Sequence, residues 1–384
     1  MNTKTISTLL TSCIILITSN QLIAQDDKTL HAEAAIQSLL ATTPAVGLSV
    51  AVVKDNKVIY NHSFGYKHLD NKVPLNNQDI FRIASISKSF TTTAMMQLVG
   101  KGQLKLDQDV SELIGFKVRN PKFPNKVITL KMILSHRSSI NDSEGYFSLD
   151  AIDPDKNANW AKCYNNYEPD KGYMYCNLNY NMAGSIVEKI TGVRFDQYIK
   201  QQILDPLGLY GGYNVNTLDS NLFAKIYEYN KDSARFIFSP NAYASRKEEI
   251  SNYSMGRTTP IFSPTGGMKI SAHDLAEYMI MHSQLGKHKG VRIMPKKLAK
   301  QMQEVLSEEE LYGMAIETSN KLIEGKSMIG HTGSAYGLYS LMFFEPKEQF
   351  GFVVITNGVD PKYQNGFNAF LHKSVNVLYK AFIE

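Results

Sequence analysis

The sequence predicts an α+β fold, in which an antiparallel sheet flanked by helices carries an inserted, mostly helical lobe. Three observations predict it. Strand-like runs sit near both ends of the chain, at 46–64 and 338–356. The stretch from 104 to 260 instead mixes short helical patterns with long loops rich in Asn, Asp, Gly and Tyr. Finally, Phe367, Phe370, Leu371, Val375, Leu378 and Phe382 recur at helical spacing, the pattern of a terminal helix laid on a sheet. The sheet lobe is expected from about 30–103 and 261–384, and the helical lobe from about 104–260.

In chain order, residues 1–24 read as a signal peptide. Lys4 gives the positive start, Ile14-Ile15-Leu16-Ile17 the apolar middle and Leu22-Ile23-Ala24 the cleavage site. Residues 25–384 would then form one periplasmic or secreted unit. The alternative is a lipid anchor at Cys13, because Leu10-Thr11-Ser12-Cys13 fits a lipoprotein box; against it, the strongest apolar run follows that cysteine. No later segment reads as transmembrane.

An apolar run over 46–53, a turn at Asp55-Asn56-Lys57 and an extended pattern over 58–64 predict a hairpin. A polar loop spans 71–79. A helix should follow to about Val99, ended by Gly100-Lys101-Gly102. Further helices are expected over 129–135, 180–190, 195–203 and 271–285. The end returns to strands, with 311–316 as a short apolar run and a hairpin of 338–344 and 351–356.

The full chain of 384 residues carries a formal charge of +5 with mixed signs, and lacks the dense basic patch with interleaved aromatics that nucleic acid requires. Nine histidines form neither HExxH nor a Cys/His cluster, so no metal and no cofactor is expected. Outside the signal peptide, Cys163 and Cys176 remain. Export permits a disulfide between them, and two buried thiols are the alternative.

The chemistry starts at Phe81-Arg82-Ile83-Ala84-Ser85-Ile86-Ser87-Lys88. Ser85 and Lys88, three apart at a helix start, share one face. A serine hydroxyl needs a base, and a lysine serves once burial strips its proton. Tyr175 and Asn177 form a second signal: a tyrosine that can pass a proton, and an amide that can hold both Lys88 and a substrate carbonyl. His331-Thr332-Gly333 is the third, where Gly333 would let substrate lie close to the backbone and His331 would donate to a substrate carboxylate or to Tyr175. Each motif alone has a plain alternative as a surface pair, a packed loop or a turn.

Taken together and in this order, the motifs resemble those of the serine β-lactamase and penicillin-binding superfamily. The similarity is greatest to its class C β-lactamase-like branch of D-alanyl-D-alanine carboxypeptidases, D-amino-acid peptidases and esterases. Tyr173 through Gly184 resembles that branch's second motif, with Cys176 where serine is usual. Leu134-Ser135-His136 and Ser263-Pro264-Thr265-Gly266-Gly267-Met268 resemble two further segments. The resemblance implies a β-lactamase/transpeptidase-like fold with Ser85 as acylated nucleophile and Lys88 and Tyr175 as its proton-transfer system. It implies that Asn177, His331, Thr332 and Gly333 position substrate, and that the Ser85 and Ser334 backbone amides form an oxyanion hole. The expected substrate is a small molecule or short peptide, such as a cell-wall peptide or a D-amino-acid amide or ester. Histidine at 331, where class C β-lactamases carry lysine, resembles the peptidase and esterase members. A D-amino-acid peptidase or DD-carboxypeptidase-like enzyme is therefore expected first. An esterase, a class C-like β-lactamase and a non-catalytic penicillin-binding or sensor domain are the alternatives.

Overall fold

The structure is a computed structural model describing residues 27–257 and 261–384. The signal peptide expected over 1–24, with Cys13, lies outside the described residues. Strand Gly47–Lys54 turns at Asp55 and Asn56 into Lys57–His68. Both turn residues take positive φ, 52° and 57°, which a tight two-residue hairpin needs. On its other side Gly47–Lys54 pairs with Phe350–Thr356, Leu48 opposite Thr356 and Lys54 opposite Phe350. The start of the described chain is thereby tied to its end.

The complete sheet has seven antiparallel strands in the order Glu317–Ser319, Met328–Ala335, Leu338–Glu345, Phe350–Thr356, Gly47–Lys54, Lys57–His68, Val73–Pro74. Side chains alternate across it. Leu48, Val50 and Val52 join a core with Ala32 and Ile36, and with Phe370, Val375 and Leu378 of the terminal helix Ala369–Phe382. Ala51 and Val53 point the other way, into a core shared with helices Ala272–Ser283 and Ser87–Gly100. The α+β architecture with helices on both faces of an antiparallel sheet is the one expected.

Helix Ser87–Gly100 is buried from Ser87 to Leu98 without a break, so it is a central helix rather than an amphipathic one. The middle of the chain supplies helices Leu130–Leu134, Asn177–Thr191 and Phe195–Ile199. It also supplies a hairpin of Ile226–Asn230 with Arg235–Ser239. One expectation fails locally: 311–316 is not a strand. The edge strand is Glu317–Ser319, and the apolar run before it turns inward, burying Tyr312, Met314 and Ile316.

Cys163 and Cys176 are two free, buried thiols, so the bridge weighed from the sequence does not form. Each sulfur has a separate acceptor: Cys163 donates to the Ala151 carbonyl at 3.3 Å and Cys176 to the Asp142 carboxylate at 3.2 Å. Among the described residues no helix is long and apolar enough to cross a membrane.

Candidate active site

Strand Phe81–Arg82 pairs with Lys269–Ile270, and the Ile83 amide donates to the Met268 carbonyl at 3.0 Å. Ala84 then takes a left-handed φ of 45°, a conformation that costs a β-carbon residue on the order of 1 kcal/mol. This kink opens a single 3₁₀ turn, Ala84–Ile86, ahead of the helix that starts at Ser87. Burial of Ile83, Ala84 and Ile86 clamps it, while Ser85 stays partly exposed between them.

One helical turn on, Lys88 is fully buried. Its Nζ lies 3.1 Å from Ser85 Oγ, 2.9 Å from Asn177 Oδ1 and 3.1 Å from the Thr265 carbonyl. Burial pulls its pKa from 10.5 down to about 7, against the charge of Asp142. The rings of Tyr175 and Tyr180 lie 4.7 and 5.6 Å from Nζ. A neutral amine has two N–H donors and one lone pair. The Asn177 and Thr265 oxygens take the two donors, which leaves the lone pair for the Ser85 hydroxyl.

Tyr175 stands beside Ser85, and burial raises its pKa far above the usual phenol value. The phenol is therefore protonated at neutral pH and is a donor, not a resting base. His136 packs on it with ring centroids 4.3 Å apart. Because His136 Nδ1 accepts from the Cys176 amide at 3.1 Å, its proton is assigned to Nε2.

Asn177 opens helix Asn177–Thr191, whose N-cap Cys176 makes no side-chain cap. Asp142 caps it from a distant loop, accepting from the Asn177 and Leu178 amides at 2.8 and 3.0 Å and from Asn177 Nδ2 at 3.0 Å. That grip turns Asn177 Oδ1 toward Lys88, and Thr265 Oγ1 donates to the same oxygen at 2.7 Å. The loop carrying Thr265 is pinned to the central helix, with Thr91 donating to the Pro264 carbonyl at 2.8 Å.

The third motif lies on strand Met328–Ala335. Gly333 is required there by packing. A Cβ at 333 would stand 2.2 Å from the Ile83 carbonyl, so this glycine lets the strand approach the Ser85 segment itself. Ser340 Oγ, opposite Gly333, donates to the same carbonyl at 2.9 Å. Ser334, the next residue, is thereby carried alongside the Ser85 turn. His331 is buried and held neutral, its pKa lowered to about 3 by burial and then by Lys88. Its Nδ1 bonds the Thr332 carbonyl, which leaves Nε2 to accept from the Tyr312 hydroxyl at 3.1 Å. The donation to Tyr175 expected from the sequence is not made: the two ring centroids are 6.3 Å apart.

A serine and a buried amine from one segment thus converge with a phenol and an amide from a second. A family model described as Beta-lactamase matches residues 32–374. The chain belongs to the beta-lactamase family. Its fold is a serine-hydrolase fold of the beta-lactamase and penicillin-binding group. Protein flp of Staphylococcus aureus (strain MW2) is 25% identical over 329 residues, covering 81% of this chain and 59% of that relative. Among solved structures, EstCE1, "a hydrolase with promiscuous acyltransferase activity", superposes with a TM-score of 0.73 at 18% identity. That match covers 92% of this chain and 99% of EstCE1. The D-amino acid amidase from Ochrobactrum anthropi SV3 gives 0.66 at 20% identity, over 90% and 99%. These beta-lactamase-fold likenesses establish architecture.

Sequence reasoning missed Asp142, Tyr312, and any role for Thr265 and His136. Asp142 sits in a loop without periodicity, and its use as a cap for a helix 35 residues on leaves no local signal. Thr265 and His136 lay inside segments that had been singled out, so their positions, though not their contacts, were visible.

Proposed function

We propose that the protein is a serine acyl hydrolase cleaving a small amide or ester, first a D-amino-acid amide or short D-peptide. The observation that carries this is the hydrogen-bond set of Lys88: both donors are occupied, the lone pair faces Ser85 Oγ, and the pKa stands at about 7. Lys88 takes the Ser85 proton as Oγ attacks the substrate carbonyl carbon. The Ser85 and Ser334 amides receive the oxyanion. Tyr175, protonated and beside Ser85, gives its proton to the leaving nitrogen or oxygen and recovers one from the Lys88 ammonium. Water then cleaves the acyl-enzyme by the reverse relay. Asn177 holds Lys88 through Oδ1 and offers the substrate carbonyl its remaining N–H.

The neutral His331 weakens any grip on a carboxylate at the third motif, so β-lactam turnover is disfavoured. The proposal includes the division into a sheet lobe and an inserted lobe at 104–260, with the site between them, and an exported protein acting on an extracytoplasmic substrate. Matched D- and L-aminoacyl p-nitroanilides and the corresponding esters test the activity. Turnover of the D-amide that is lost in Ser85→Ala supports the peptidase form. Ester cleavage alone moves the assignment to an esterase, and no turnover of any substrate by the folded protein overturns it.

A further inference from the structure

Three residues before Ser85 stands a guanidinium that the chemistry above does not use. Arg82 Nε donates to the Gly266 carbonyl at 2.7 Å, and its guanidinium carbon lies 4.9 Å from the centre of the Tyr336 ring. Arg82 Nη2 and the Ala84 main chain both come within 3.8 Å of the point where a Gly266 Cβ would stand. Gly266 follows Thr265, which holds Lys88 and Asn177. The guanidinium therefore lies on the margin of the site, under Tyr336 from the hairpin turn.

This cation has no carboxylate partner among the described residues. It forms no ion pair with any Asp or Glu among the described residues; beside it lie the Tyr336 ring and the Tyr243 hydroxyl, which accepts from the Arg82 amide at 3.3 Å. Its ladder partner Lys269 adds no anion, being buried with its Nζ on the Tyr213 carbonyl at 3.0 Å. A guanidinium stays charged at every pH the protein meets, and desolvating it without an anion is costly. At the third motif His331 is neutral, so it offers a carboxylate no fixed positive charge.

We propose that Arg82 is a specificity-determining residue that pairs with a carboxylate on the acyl portion of the substrate. The acyl portion is indicated because Arg82 is held by Gly266 and Tyr336, whereas Tyr175, the proposed leaving-group acid, packs on His136. Guanidinium geometry suits a carboxylate, which it can meet with two parallel N–H donors. This assignment rests on the acyl-transfer reading of the same site.

The test compares p-nitrophenyl hemiglutarate with p-nitrophenyl valerate, acyl chains of equal length with and without the terminal carboxylate. Binding is measured calorimetrically on Ser85→Ala, where no turnover is needed. The acidic ester should bind roughly tenfold tighter, the scale of one charge-assisted pair. Arg82→Gln in the same background should close that gap, Arg82→Lys should restore part of it, and added salt should narrow it. Equal binding of the two esters, or a gap that survives Arg82→Gln, overturns the proposal. Should Arg82→Gln fail to fold, the size of the gap in Ser85→Ala and its salt dependence still decide. If the gap is present but Ser85 in the otherwise intact protein reacts with neither ester, the hydrolase reading fails and the specificity role of Arg82 with it, leaving Arg82 as a carboxylate-binding residue only.

Discussion

A lysine ammonium buried without a carboxylate beside it is expensive to desolvate, so Lys88 relaxes toward the amine. Two consequences follow at the residue scale. Replacing Lys88 by Met removes the proposed base and should lower acyl transfer by about 10²–10⁴-fold, the usual weight of a positioned base. The second concerns stability. Because the folded-state pKa, about 7, lies below the unfolded value of 10.5, the unfolded chain binds more protons between those pH values. Stability therefore rises with pH through that window. Urea titrations of Lys88→Met and the unsubstituted protein should show the variant's advantage at pH 7 shrinking as pH approaches 10. A constant difference would mean that Lys88 is buried as the cation.

At the scale of elements, Asp142 joins a loop to the start of helix Asn177–Thr191 and, through Asn177, to Lys88. Asp142→Asn keeps the shape and removes the charge. Since that charge raises the Lys88 pKa, the rising limb of the rate–pH profile should move to lower pH. Asp142→Ala should also cost about 1 kcal/mol of stability through the lost cap. Rate–pH profiles of the two variants separate these effects. Legibility also differs by element. The Ser85 helix, the two hairpins and the terminal helix were readable because each is local: periodicity, turn residues and burial coincide within a short window. The edge strand was misplaced because residues 311–316 are apolar for the sake of Tyr312, which packs in the site and donates to His331. Nothing in that run distinguishes a residue facing the site from one facing the core.

For the whole molecule, the sheet closes the two ends of the described chain together, and Gly333 lets the end strand touch the Ile83 carbonyl two residues before Ser85. The site is thus assembled by folding of the entire unit, with no covalent cross-link among the described residues. A strong reductant should leave the melting temperature unchanged, and denatured protein should react with a thiol reagent at both Cys163 and Cys176. A drop of several degrees on reduction would show a bridge instead. The pairing of two cysteines is a property of the folded distance, which their spacing does not carry.

The most direct test of the account is the rate at which a fluorophosphonate labels the protein as a function of pH, with the modified residue located by mass spectrometry. Labelling should fall on Ser85, rise through an apparent pKa of about 7, and vanish in Ser85→Ala. Labelling elsewhere, or a rate at Ser85 that does not change between pH 5 and 9, would contradict a serine activated by neutral Lys88.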